Sequence, residues 1–206
     1  MQHLDYSQQK DWYQADDTPF QSPIAINTSQ TLPETKSDLT VKFHDRTQYQ
    51  DRVVGEQFLV QGELVVNGET WQLERFHFHD GAEHLIDNVR HDAEIHFVYH
   101  KNDDTLVLAI FGDVATGANT HIPDIFTGEI DAKLLADLLP PHHDYFHYVG
   151  SLTTPPLGEN ISWLILAEPI ALSTVDLAIL HDRYPNNYRD IQDVAGREVS
   201  SIDIIK

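Results

Sequence analysis

The chain contains no cysteine among its 206 residues. It can therefore form no disulfide bond, and it is not of the kind that depends on an oxidising compartment. No apolar run approaches the roughly 18 residues that a membrane-spanning helix requires. The opening residues, MQHLDY, lack the basic and apolar stretches typical of a secretory signal. We therefore expect a cytoplasmic protein, and the alternative is an extracytoplasmic protein whose signal peptide has been removed.

Basic side chains are also scarce. The chain has 13 Lys and Arg against 33 Asp and Glu, which gives a formal net charge of −20 with histidine neutral. An acidic surface of this kind repels phosphate backbones and anionic headgroups, so we expect no nucleic-acid partner and no membrane partner. The same field leaves a neutral small molecule unaffected and gives no steering to an anion.

Linkers and internal repeats are missing as well. No Ser/Gly-rich or single-charge segment divides the sequence, and 206 residues suit one large β-domain. Apolar residues make up 41% of the chain, which is sufficient for a core. We therefore predict a single domain over residues 1–206.

Most of the ordered sequence has the residue pattern of β-strands. Predicted strands cover 39–43, 57–61, 64–67, 71–79, 93–99 and 105–111. Asn67-Gly68 is typical of a tight hairpin turn. Helical patterns occur at 131–139 and after Ser173-Thr174-Val175-Asp176, which has the form of a capping box. The fold class is therefore predicted as β-dominated (α+β), with a few short helices.

One predicted strand carries the segment Phe76-His77-Phe78-His79. Because side chains alternate along a strand, His77 and His79 share one face. A third histidine, His96, lies in the predicted strand 93–99, and antiparallel pairing of the two strands would bring all three imidazoles together. Three histidines that leave a fourth position open are typical of a catalytic zinc site. The chain has 13 histidines, so a plain polar strand face is the alternative interpretation.

A second motif lies far downstream, at Ser151-Leu152-Thr153-Thr154-Pro155-Pro156-Leu157. Three shorter segments accompany this motif and the three histidines between positions 21 and 163. The order and spacing of all these segments match those of one known protein family. The shorter matches are Gln21-Ser22-Pro23-Ile24, Glu83-His84 and Trp163. The combined pattern resembles the α-class carbonic anhydrases of bacterial type. The resemblance implies a large twisted, mostly antiparallel central sheet with peripheral helices, and a zinc-dependent lyase that reversibly hydrates CO₂ to bicarbonate and a proton.

The resemblance also implies roles for individual residues. It assigns the Zn²⁺ ligands to His77, His79 and His96, and it assigns the orientation of the attacking zinc-bound hydroxide to Thr153 and Glu83. Glu94 is implied as the acceptor for the ring N–H of His96. The substrate pocket is implied for Val98, Val107, Leu152, Thr154 and Trp163. The expected partner is the small-molecule substrate, CO₂ or bicarbonate, and the expected assembly is a monomer or a homodimer.

Two positions depart from the family pattern. The family usually has glutamine, a hydrogen-bond acceptor for the first zinc histidine, where this chain has Arg75, which has no acceptor. We expect either a zinc affinity lower by about 10-fold or a shifted pKa of the metal-bound water, unless a backbone carbonyl or a water accepts instead. The Arg75 head could turn towards a carboxylate such as Glu94. Glu56 stands near the family's proton-transferring histidine and is the candidate proton shuttle. A carboxylate with an ordinary pKa near 4.3 suits that role poorly, so we predict slow, buffer-sensitive turnover.

Other functions remain open from sequence. A catalytically weak or silent carbonic anhydrase-like binding protein is the main alternative, and Arg75 favours it. A zinc-dependent esterase is a second, because the same site could support that activity. Among the remaining histidines, His142-His143 is the cluster that could replace Glu56 in proton transfer.

Overall fold

The computed structural model describes residues 3–13, 18–35, 38–118, 122–126 and 131–203. Its strands are β1 (Ala25–Ile26), β2 (Leu32–Thr35), β3 (Leu39–Arg52), β4 (Gly55–Val66), β5 (Glu69–Asp80), β6 (Leu85–Ile86), β7 (Ala93–Lys101), β8 (Asp104–Val114), β9 (Tyr145–Ser151), β10 (Glu159–Leu166), β11 (Ile170–Leu172) and β12 (Ser200–Asp203). The α-helices are α1 (Ile122–Ile125), α2 (Ala132–Ala136) and α3 (Thr174–Arg183), and 3₁₀ helices cover Tyr6–Asp11 and Thr28–Gln30.

Within the described residues, ten strands form one sheet in the order β2-β12-β9-β10-β8-β7-β5-β4-β3, with β11 beside β8. The pairs β3–β4, β4–β5, β5–β7 and β7–β8 are antiparallel, as are β9–β10 and β9–β12. Strands β10 and β11 pair parallel to β8, and β12 pairs parallel to β2. The predicted large, mostly antiparallel sheet is confirmed, and it is mixed.

The two faces of the sheet bury different residues. Phe76, Phe78 and Phe97 pack into a large apolar core on one face. Val98, Val107 and other apolar residues form a second core on the opposite face, which is also the face of His77 and His79. The alternation of side chains along β5 and β7 therefore separates the phenylalanines from the histidines, as the period of two predicts.

Several sequence-based boundaries need correction. The two predicted strands at 57–61 and 64–67 are one strand, β4, because β3 and β5 both pair along its length across a bulge. The helix predicted at 131–139 is only α2, Ala132–Ala136. Strands β9, β10 and β12 were not predicted. The turn at Asn67-Gly68 has both residues at positive φ, and the capping box of α3 is present as predicted.

Among the described residues, no helix is long and apolar enough to cross a membrane.

Candidate metal centre

The candidate metal centre lies on β5 and β7 in the middle of the sheet. These strands pair antiparallel with His77 directly opposite His96, so the two rings start from neighbouring backbone positions. His79 projects from the same face of β5, two residues further on. One nitrogen from each of the three imidazoles lies within 4.8 Å of the others. This spacing is compatible with a single metal ion bound by all three.

Hydrogen bonds fix which nitrogen of two rings remains free. His79 Nδ1 lies 2.6 Å from the carbonyl oxygen of Asn187, and a carbonyl can only accept, so Nδ1 carries the proton. His96 Nε2 lies 2.7 Å from Glu94 Oε1 and donates to that carboxylate. The nitrogens left over, His79 Nε2 and His96 Nδ1, are 3.1 Å apart. Two ligand nitrogens at 2.0–2.1 Å from a tetrahedral zinc ion would lie about 3.3 Å apart.

Glu94 is the centre of a buried hydrogen-bond network. Its Oε1 also accepts from His84 Nδ1 at 2.8 Å, and its Oε2 accepts from the His84 backbone N–H at 2.9 Å. His84 Nε2 shares a hydrogen bond of 2.7 Å with the Tyr148 hydroxyl, which donates to Ser22 Oγ at 2.8 Å. Burial alone would raise the pKa of Glu94, but His84 and His96 hold it well below its usual range. Glu94 is therefore a fixed anion that orients His96.

His77 and His79 are suited to metal binding because their rings are neutral at pH 7. Burial is the largest effect on both rings. It lowers the pKa of His77 well below the usual value of 6.5 and lowers that of His79 below the same value. A neutral imidazole has a nitrogen lone pair to offer, whereas a protonated one does not.

His77 lacks the support that the other two rings have. Its Nδ1 is buried and has no hydrogen-bond partner among the described residues. Arg75, on the same face of β5, turns away: its Nε donates to Gln57 Oε1 at 3.0 Å, and its Nη1 donates to Glu74 Oε2 at 2.8 Å. The carboxylate that Arg75 contacts is thus Glu74, whereas the sequence suggested one such as Glu94.

Glu83 presents one free carboxylate oxygen to the histidine cluster. Its Oε1 accepts a 2.7 Å hydrogen bond from the Arg189 backbone N–H. Its Oε2 is buried without a hydrogen-bond partner among the described residues, and lies 3.6 Å from His79 Nε2 and 3.9 Å from His96 Nδ1. Thr153, which follows β9, is also buried, with 4% of its surface exposed.

Apolar residues border the histidines on the β8–β10 side. Val98, Val107 and Trp163 are buried in the second core, and Leu152 packs against it. The rings of Trp163 and His96 lie 4.9 Å apart between centroids. Thr154 lines a cavity of about 30 Å³ together with His77 and His79, which we call the inner cavity. Its volume suits one or two water molecules.

Glu56 also lines the inner cavity, but its carboxylate is occupied. It accepts hydrogen bonds from the Tyr49 hydroxyl at 2.5 Å, from Arg183 Nη1 at 3.0 Å and from the Tyr184 hydroxyl. His142 and His143 precede β9 in sequence, and neither lines this cavity.

Asn187 is a site residue that the sequence did not indicate. Besides accepting from His79, it donates through Nδ2 to the Phe78 carbonyl at 2.8 Å, and its Oδ1 accepts from the Asp80 N–H at 2.7 Å. It therefore brackets His79 along β5. Asp80 adds to this arrangement, because its Oδ2 accepts from His181 Nδ1 at 2.7 Å and from the Asn186 N–H. No local motif marks Asn187, since it lies 108 residues from His79.

The sheet and its three convergent imidazoles define a β-rich enzyme domain with a potential metal site. Comparison with known proteins gives the family. A family model described as eukaryotic-type carbonic anhydrase matches residues 7–203. The chain therefore belongs to the α-carbonic anhydrase family, metalloenzymes with carbonate dehydratase activity, which is the reversible hydration of CO₂.

Individual relatives agree with this family. A carbonic anhydrase of Pectobacterium atrosepticum is 32% identical over 197 residues, covering 86% of this chain and 78% of that protein. A carbonic anhydrase of Nostoc sp. is 34% identical over 148 residues, covering 64% of this chain and 54% of that protein, so the match spans about half of this relative. The structure of the Photobacterium profundum α-carbonic anhydrase is similar with a TM-score of 0.81 at 27% identity, covering 91% of each chain.

Proposed function

We propose that this protein hydrates CO₂ reversibly with a zinc ion held by His77, His79 and His96. The observation that carries the proposal is the 3.1 Å contact between His79 Nε2 and His96 Nδ1. Both nitrogens are unprotonated, because the other nitrogen of each ring donates to Asn187 or Glu94. Two lone pairs this close repel each other unless a cation lies between them. Neutral imidazoles suit zinc and similar transition metals rather than Mg²⁺ or Ca²⁺, and three of them with an open fourth position are typical of catalytic zinc.

When bound, zinc lowers the pKa of a coordinated water to about 7 and so supplies hydroxide at neutral pH. Glu94 and the Asn187 carbonyl keep two of the ligand rings in the required tautomer and orientation. The low pKa values of His77 and His79 keep these rings available at pH 7.

Thr153 and Glu83 are proposed to orient the attacking oxygen. The free Oε2 of Glu83 is the only unpartnered carboxylate oxygen among the buried polar atoms of the described residues, so it is available to accept from the Thr153 hydroxyl. A hydroxyl that donates to Glu83 has its own lone pair directed at the reacting water, and it accepts a hydrogen bond from that water. The attacking lone pair is then directed at the carbon of CO₂, which accelerates the reaction by orientation.

The substrate pocket is proposed to lie against the second core. Val98, Val107, Leu152 and Trp163 offer CO₂ an apolar surface, while Thr154 lies on the inner cavity and is positioned for the polar product. A neutral apolar substrate needs no electrostatic attraction, so the net charge of −20 is no obstacle to its entry.

One observation favours the second candidate, a binding protein without catalysis. His77 Nδ1 has no acceptor among the described residues, and a loosely oriented ligand weakens the metal site. In that case zinc would be bound weakly or CO₂ would not be hydrated.

Stopped-flow CO₂ hydration on protein of measured zinc content tests the proposal. We expect about one zinc ion per chain, and we expect His96→Ala to lose both metal and activity. Thr153→Ala should keep its zinc and lose about 100-fold in kcat/KM, whereas Thr153→Ser should recover most of it. Zinc-loaded wild type without hydration would decide for the binding protein. Equal rates for Thr153→Ala and wild type would refute the role of Thr153.

A further inference from the structure

CO₂ hydration releases one proton per turnover, and the described residues of the inner cavity offer no obvious acceptor for it. The titratable side chains there, apart from the ligands, are Tyr6, Glu56, Arg75 and Tyr184. Glu56 accepts hydrogen bonds from two tyrosine hydroxyls and from Arg183, so both of its carboxylate oxygens are already occupied. Burial raises the pKa of both Tyr6 and Tyr184 far above neutrality, so neither ionises during turnover.

A second, larger cavity adjoins the inner cavity. It has a volume of about 420 Å³, and we call it the outer cavity. Five residues line both cavities, which makes them neighbours: Tyr6, Val54, Gly55, Tyr184 and Asn187. The outer cavity is wide enough to hold a chain of water molecules, along which a proton can move.

The outer cavity contains one imidazole among its described lining residues, that of His3. The Leu4 backbone N–H donates to the Val53 carbonyl at 2.8 Å, which holds the N-terminal segment against the turn between β3 and β4. His3 Nε2 lies 2.5 Å from Asp51 Oδ1 near the end of β3. The His3 side chain is 48% exposed, so it also contacts solvent.

We propose that His3 accepts the proton released by CO₂ hydration and passes it to buffer in solution. The inference rests on the proposed function of the histidine cluster. Because Nε2 donates to Asp51, the neutral ring carries its proton there, and its Nδ1 lone pair is the one that can accept. The proton leaves the reacting water, moves along water in the two cavities to His3 Nδ1, and gives an imidazolium whose Nε2–H stays hydrogen-bonded to Asp51. Loss of that proton to a buffer base restores the neutral ring.

Other groups at the outer cavity suit this role less well. Asp5 is the competing carboxylate, but hydrogen bonds from the Ser7 hydroxyl and N–H lower its pKa below the ordinary value. Arg183 has no lone pair to offer. An imidazole is the side chain whose ordinary pKa lies near neutral pH, so it can both accept and release a proton there.

The test is stopped-flow CO₂ hydration by the full chain at low and at high buffer concentration, with zinc content measured for each variant. We expect His3→Ala to lower kcat at least about 10-fold at low buffer and to leave kcat/KM unchanged, because proton removal limits kcat only. Added imidazole at high concentration should restore kcat. The double variant His142→Ala/His143→Ala is the matched control and should behave as wild type.

A second readout does not depend on activity. Nitrogen-15 NMR of the metal-free protein should show His3 as the neutral Nε2–H tautomer at alkaline pH, and Asp51→Ala should abolish that preference. An unchanged kcat in His3→Ala at low buffer, with active wild type, would overturn the role of His3 and leave the proposed function intact. Zinc-loaded wild type that does not hydrate CO₂ would overturn both. A loss of kcat in the control instead of His3→Ala would assign the proton transfer to His142-His143.

Discussion

Two sides of the histidine cluster differ in how the protein supports them. On what we call the held side, His79 donates to Asn187 and His96 donates to Glu94. On the open side, the buried Nδ1 of His77 has no acceptor among the described residues, and Arg75 faces Gln57 and Glu74 instead. The same strand, β5, carries one ring from each side. The difference therefore comes from the neighbours of each ring and not from the backbone that presents it.

The comparison shows that geometry and tuning of a metal site are separable. Strand pairing places the three rings on one face of two neighbouring strands, and one nitrogen of each lies within 4.8 Å of the others. Hydrogen bonds to the second nitrogen of each ring then decide its tautomer and its basicity as a ligand. A buried polar nitrogen without a hydrogen-bond partner costs about 1–3 kcal/mol, so His77 Nδ1 also lowers the stability of the fold.

Removing a hydrogen-bond acceptor on the held side should cause the largest change in zinc affinity. In Glu94→Gln, one of the oxygens that accept from His84 and His96 is replaced by a donor. We expect zinc affinity to fall about 10- to 100-fold, measured by competition with a chelator. Glu74→Gln is the matched control, because Glu74 contacts Arg75 and His100 and no ligand ring. Equal losses in both variants would contradict the assignment of Glu94 to the held side.

Adding an acceptor for His77 on the open side should cause the next largest change in zinc affinity, and this change should be an increase. Arg75→Gln places an amide oxygen where it can accept from His77 Nδ1, and we expect zinc to bind about 10-fold more tightly. The same chelator competition measures it. Arg75→Leu removes the donors of Arg75 without adding an acceptor, so it should show no such gain. If Gln and Leu give the same affinity, the missing acceptor is not what limits the site.

The metal-free protein should lose stability in mild acid because of the buried rings. The folded pKa values of His77 and His79 lie below 6.5, so the unfolded chain binds more protons below that pH. Stability is then fully present above about pH 6.5 and is lost as pH falls towards the folded pKa values. Thermal melting between about pH 7 and pH 5 measures this. His77→Gln should flatten the dependence, and an unchanged slope would show that His77 does not titrate in this way.

The smallest effect on stability and zinc affinity is expected at the His181–Asp80 pair, which lies next to His79 on its solvent side. His181 donates to Asp80, but its side chain is 67% exposed, so solvent screens the pair. His181→Ala should cost at most about 1 kcal/mol of unfolding free energy in a urea titration. Its zinc affinity should stay close to wild type, because Asn187 brackets His79 through other hydrogen bonds. A loss as large as that of Glu94→Gln would mean that support for His79 depends on this exposed pair.

The sequence was sufficient for the central hairpins of the fold. Alternation of Phe and His along β5 predicted which face each side chain occupies, and Asn67-Gly68 predicted the turn between β4 and β5. It did not predict β10, which pairs parallel to β8 although the paired residues, such as Thr105 and Ile161, are 56 positions apart in the chain. Parallel pairing over such a distance leaves no local turn signal, so only the packed sheet shows it.

The residues of the site also fall into those that the sequence predicted and those that only the tertiary structure revealed. His77, His79 and His96 could be placed together from the sequence alone, because a period of two and antiparallel pairing are local rules. The resemblance to the family indicated Thr153 and Glu83, whose roles stay predictions. The acceptor of His79, the occupied carboxylate of Glu56 and the neighbouring cavity at His3 were decided by tertiary structure. Each of these contacts joins residues far apart in the chain, and a sequence does not encode the distance between such residues until the sheet and its loops have packed.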